Sequence, residues 1–210
     1  MSLKTTLLNL IVICLILVLP HLGYTPLFSY GLILILVVWG ALKYQGEGFK
    51  DLGFSLKDFP KKALWVGPLS AALVLGFMQL IFFPILEQFI VFEEVELDLY
   101  DFIKENPTQL IFMIIMGWVV GGFYEEIVFH GFIFTRLENM LSGPVSFVLA
   151  VLIFGAYHYQ LGMAGMINAT LVGIVYLGLY VYFKRNLWYS IICHGVYNTM
   201  VMIMIYKGLL

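Results

Sequence analysis

The chain has 210 residues, of which 62% are hydrophobic and only 11% charged, and its mean hydropathy is +0.98. So large an apolar share is more than a water-soluble globular domain can hide, and it points to a polytopic membrane protein. A formal net charge of −2, with no basic patch and no interleaving of basic and aromatic residues, argues against nucleic acid as a partner.

Apolar runs of membrane-crossing length predict seven helices, at about 5–19, 26–42, 63–85, 108–134, 144–158, 163–183 and 187–206. The first and fifth are short and are expected to be tilted, interfacial or broken. Segments of helical length leave no room for a closed barrel. The expected fold is therefore all-α: a polytopic membrane helical bundle of about seven transmembrane helices, in a single membrane domain spanning 1–210. The first run follows Lys4 as in a signal peptide, but no small-x-small cleavage site precedes Pro20, so it reads as a first membrane helix. Cys14 and Cys193 each lie in an apolar run, offer neither a disulfide framework nor metal spacing, and read as packing residues.

Lys and Arg placement gives the orientation. With seven spans, Lys4, Lys43, Lys50, Lys57, Lys61, Lys62, Arg136, Lys184 and Arg185 fall on one side, and only Lys104 and Lys207 on the other. The N-terminus is expected to be cytoplasmic, and the membrane to be a bacterial plasma membrane. Residues 43–62, KYQGEGFKDLGFSLKDFPKK, then form a basic cytoplasmic loop. Residues 86–106 carry the acids Glu87, Glu93, Glu94, Glu96, Asp98, Asp101 and Glu105 against Lys104. This stretch reads as a solvated external connector, with a lid or substrate-facing rim as the sharper alternative.

Ionisable side chains within a span cost about 2.5–3.5 kcal/mol on insertion scales and usually face a cavity and pair with one another. Here Glu125, Glu126, His130, His158, Asn168, His194 and Asn198 lie at or near such depths. On an α-helix the adjacent Glu125 and Glu126 point about 100° apart, so they are not an equivalent pair. Glu126 and His130 are four residues apart and within reach of each other, as are His194 and Asn198. Gly117, Gly121, Gly122, Gly131, Gly155, Gly162, Gly165, Gly173 and Gly195 surround these positions and would let the helices approach closely. Asn168 reads as a helix–helix hydrogen-bonding residue.

A carboxylate held away from water and beside a second acid is a better proton acceptor than one in solvent, which suits a general base. A histidine can orient a water, and a histidine with an asparagine can form an oxyanion hole. Together these parts describe water activation and amide hydrolysis without a serine or cysteine nucleophile. A proton-coupled transporter also places acids and histidines in lipid, but the sequence has no internal repeat or broken-helix pair to support it.

EEIVFH (125–130), FGAYH (154–158) and HGVYN (194–198) resemble the EExxxR, FxxxH and HxxxN motifs of the CPBP intramembrane endopeptidases, also called the Abi or CAAX-protease family. Their order and spacing fit, and the resemblance covers about 108–206, the catalytic core that it implies. DLGFSLKDF (51–59) is also similar to a stretch these proteins carry upstream. The resemblance implies that Glu125 activates water together with His158, that His194 and Asn198 stabilise the oxyanion, and that Glu126 is a supporting carboxylate. It implies a glutamate-dependent mechanism with no cofactor. Substrates would be membrane-associated proteins or peptides, since eukaryotic members remove the C-terminal tripeptide from prenylated CAAX proteins. Bacterial members are linked to bacteriocin maturation or self-immunity.

The departure is His130, where the family motif has arginine. An arginine holds a carboxylate bidentately and is always charged, whereas a histidine makes one good contact. Two alternatives follow. One is a catalytically impaired membrane interaction or bacteriocin-immunity protein. The other is a zinc site, for which Glu126, His130, His158 and His194 supply suitable ligand types.

Overall fold

The computed structural model describes residues 2–23, 29–90 and 102–210. Residues 91–101, including Glu93, Glu94, Glu96, Asp98 and Asp101, lie outside the described residues, and with them most of the connector read as a rim or lid. Among the described residues the chain is all-helical, without a strand.

The helices are α1 (Leu3–Val18), α2 (Ser29–Tyr44), α3 (Ala63–Leu86), α4 (Pro107–Glu138), α5 (Gly143–Tyr157), α6 (Gly162–Tyr182) and α7 (Trp188–Tyr206). Five are long and apolar enough to cross a membrane: α1 continued by a 3₁₀ turn to His21, α3, α4, α6 with its preceding turn, and α7. The first is therefore not short, as the hydropathy had suggested. The short pair is α2 and α5, of 16 and 15 residues. Several helix starts follow local chemistry. Ser2 Oγ accepts the Thr5 N–H of α1 at 3.2 Å. Asn106 Oδ1 accepts the Gln109 N–H at 3.2 Å, and Pro107 follows at the first helical position of α4.

Leu3, Trp65, Leu69, Leu80 and Ile111 stand on outer faces and are more than half exposed, as lipid-facing side chains of a bundle would be. Two stretches are buried all round instead: Tyr124 to Phe134 in α4 and Trp188 to Gly195 in α7. A helix buried on every face belongs at the centre of its fold. α7 packs against α3, α4 and α6, and so forms the hub of the bundle. Close approach depends on small residues. A Cβ on Gly67 of α3 would stand 2.6 Å from Ile192 Cγ2 and 2.9 Å from the Cys193 nitrogen of α7. Cys193 is buried, as expected, but Cys14 is exposed on α1 and is not a packing residue.

The segment before α3 is docked, not free. Its residues Gly53, Ser55 and Asp58 offer backbone carbonyls to the Leu187 N–H at 3.1 Å, to Trp188 Nε1 at 2.8 Å and to Asn186 Nδ2 at 3.2 Å. The Tyr180 hydroxyl donates to the Leu52 carbonyl at 3.1 Å. Glu47 pairs with Arg136, and Glu138 pairs with Arg185 at 2.6 Å. Three separate basic segments are thereby gathered at one end of the bundle.

Gly67→Ala is expected to lower the thermal unfolding midpoint in detergent, since overpacking costs about 1–3 kcal/mol. Gly76→Ala, where a Cβ meets nothing within 4 Å, should leave it unchanged or raise it. Intrinsic tryptophan fluorescence during heating checks both.

Candidate active site

Gly117–Ile133, the middle of α4, is wound as a π-helix, with backbone bonds reaching one residue further back than in an α-helix. Such a helix has more residues per turn, so Glu125 and Glu126 diverge by less than the 100° expected of α-helical neighbours. They nevertheless meet different partners.

Glu126 is fully buried. His130 Nδ1–H donates to its Oε2 at 2.8 Å, one turn along the same helix. His194 Nδ1–H donates to its Oε1 at 2.8 Å, from α7. A carboxylate only accepts, so both imidazoles carry a proton on Nδ1. His130 is itself fully buried between Phe154 and Tyr176, at ring distances of 5.2 and 6.3 Å. It makes the single contact expected of histidine in the arginine's place.

Glu125 is 8% exposed. Its Oε2 lies 3.8 Å from His158 Nε2 and 3.9 Å from His194 Nε2, too far for direct hydrogen bonds. His158 caps α5, and its Nδ1–H donates to the Phe154 carbonyl one turn back at 2.8 Å. Each of these two imidazoles is thus tied through Nδ1 and turns Nε2 toward one oxygen of Glu125. α5 begins at Gly143 and ends just before His158, which comes with His194 to one oxygen of Glu125.

Asn198 lies one turn beyond His194 on α7. Its Nδ2 donates to the Gly117 carbonyl of α4 at 3.2 Å and faces the Cα of Gly121. Asn168 has the structural part expected of it, accepting the Tyr197 hydroxyl at 2.9 Å.

Glu125, Glu126, His130, His158, His194 and Asn198 therefore come together from three helices. Two side chains at the site escaped the sequence reading. Tyr176 of α6 stacks flat on His194, with ring centres 4.4 Å apart and planes 19° apart. Its only sequence signal is the spacing of four to Tyr180 within an apolar run. His21, on the connection after α1, packs against Tyr157 and Tyr159 at 5.0 and 4.8 Å, beside the capping His158. The zinc ligand set does not fit. Both Glu126 oxygens already accept from histidine Nδ1–H groups, and among the described residues no three His, Cys, Asp or Glu side chains are placed to hold a metal ion.

Fold and site together define an integral membrane protein with a buried glutamate–histidine–asparagine constellation at the heart of a helical bundle. Residues 107–200 match the family described as Rce1-like, type II CAAX prenyl endopeptidase. The matched stretch carries all three motifs and all six residues of the constellation. No curated protein and no solved structure matches the chain.

Removing one partner of a buried charged pair typically costs about 3–5 kcal/mol. His130→Ala is accordingly expected to destabilise the protein by roughly 3 kcal/mol, and His130→Gln, which keeps a donor, by less. Unfolding by titrated SDS in mixed micelles measures both.

Proposed function

We propose that this protein is an intramembrane endopeptidase in which Glu125 activates water to cleave a peptide bond in a membrane-associated protein or peptide. The observation that carries the reading is the convergence of two tethered imidazoles, His158 and His194, on one oxygen of Glu125 at 3.8 and 3.9 Å. A water held in that shared space can give a proton to Glu125 while its oxygen attacks the scissile carbonyl carbon. His158, fixed by the Phe154 carbonyl, keeps an Nε2 lone pair toward that space and orients the water.

Attack forms a carbon–oxygen bond and moves the carbonyl π electrons onto oxygen. His194 and Asn198 then meet the negative charge. Because Glu126 occupies its Nδ1–H, His194 donates from Nε2 only as the imidazolium. Asn198 spends one amide hydrogen on the Gly117 carbonyl and has a second to give. Collapse breaks the carbon–nitrogen bond as Glu125 returns its proton to the leaving amine. The products are one carboxylate and one amine end, with no covalent enzyme intermediate and no cofactor.

Glu126 and His130 are positioning residues, since both are fully buried and act through His194. His130 meets Glu126 with good hydrogen-bond geometry, which favours a working site over an impaired one that serves only in binding or immunity. The bundle would cross the membrane seven times. The end that gathers the basic segments would face the cytoplasm, as would the N-terminus. The family match favours CAAX-type substrates, prenylated near the bond that is cut.

The test is cleavage of fluorogenic peptides, farnesylated and plain, by the protein in liposomes. Glu125→Gln is expected to lower kcat by about 10²–10⁴-fold. His194→Ala and Asn198→Ala should each lower it by about 10²–10³-fold, with little change in KM. EDTA should leave the rate unaltered. Undiminished cleavage by Glu125→Gln, or loss with EDTA reversed by zinc, would overturn the mechanism. Cleavage of the farnesylated peptide alone would fix the substrate class.

A further inference from the structure

Gly121 sits one turn before Glu125 on α4 and has no part in the site as described so far. A Cβ built on it would run into Asn198 Nδ2 and stand 3.1 Å from His194 Nε2. Its neighbour Gly122 behaves differently. There a Cβ would meet backbone atoms of α7, the Ile191 carbonyl oxygen at 3.3 Å and the Gly195 Cα at 3.5 Å. That is the usual signature of a small residue that lets two helices touch. At Gly121 the two nearest atoms are instead the two nitrogens aimed at the developing charge, one from each of two successive turns of α7. Two polar side chains converge on a single backbone Cα, and only the lack of a side chain there lets both nitrogens come so close.

We propose that the Cα face of Gly121 is the floor of the seat for the scissile carbonyl oxygen, with Asn198 Nδ2 and His194 Nε2 as its walls. The inference rests on the reading of His194 and Asn198 as oxyanion donors. The substrate backbone then crosses α4 at Gly121, with its carbonyl oxygen against the helix and its carbon toward Glu125. Any larger residue at 121 strikes the Asn198 amide and crowds the seat. It excludes the tetrahedral oxygen while leaving the rest of the substrate groove untouched.

The seat can be tested without turnover. A farnesylated peptide aldehyde, whose hydrate mimics the tetrahedral intermediate, is compared with the matching alcohol, which lacks the second oxygen. Affinities are measured by calorimetry on the full chain in detergent. The native protein and Gly178→Ala, a glycine of α6 with nothing within 4 Å of its added Cβ, should both prefer the aldehyde. Gly121→Ala should reduce that preference by about tenfold or more, with the alcohol affinity unchanged.

Should Gly121→Ala fail to fold, the methyl is placed in the Asn198→Ala background, where the amide it strikes is gone. There it should abolish the residual preference that His194 supports. An aldehyde preference that survives the methyl in the variant tested, or that the native protein lacks, would overturn the seat. A native protein that prefers the aldehyde yet cleaves no peptide would leave the seat standing and remove the peptidase reading instead.

Discussion

Glu126 accepts one hydrogen bond from its own helix and one from α7, both at 2.8 Å, with no exposure to solvent. A carboxylate in that position must be fully satisfied, because an unpaired buried charge is among the costliest features a fold can carry. Satisfying it ties α4 to α7, sets the tautomer of His194 and fixes the direction of its Nε2. The π winding of α4, the hub position of α7 and the stacking of Tyr176 on His194 all surround this contact. Glu125, one residue earlier, is the acid left partly accessible.

Division of labour between the adjacent acids follows from burial. Glu126 has both oxygens engaged and cannot exchange protons with a substrate without dismantling its own pairing. Glu125 is held beyond direct hydrogen-bond distance from either histidine, at 3.8 and 3.9 Å. His130 is therefore understood through Glu126, not through the reaction. Where the family motif has a two-pronged guanidinium, this chain uses one imidazole nitrogen and fills the remaining space with the aromatic rings of Phe154 and Tyr176.

Much of this could be read from the chain directly. Helix positions followed from the length of apolar runs, because lipid requires every backbone group to be bonded within its own segment. The polar residues stood out because each is expensive in an apolar stretch, so their presence implied mutual pairing. What hydropathy misjudged was length and facing. α1 is extended by a 3₁₀ turn, and Cys14 looks outward although its neighbours in sequence are as apolar as those of Cys193. Apolar residues facing lipid and apolar residues facing protein look alike in a membrane chain.

The sequence alone determined the class of the protein, the approximate place of its helices and the six side chains that matter, since composition and motif spacing are properties of the chain. Tertiary structure decided which atoms of those side chains meet. The π winding altered the angle between the two acids. The packing of the helices brought His158 close to Glu125, the stacking partner came from a helix that carries no motif, and Gly121 came to lie against Asn198 and His194. Each of these depends on the depth and rotation of one helix against another, which packing between helices sets and no periodicity within one helix encodes.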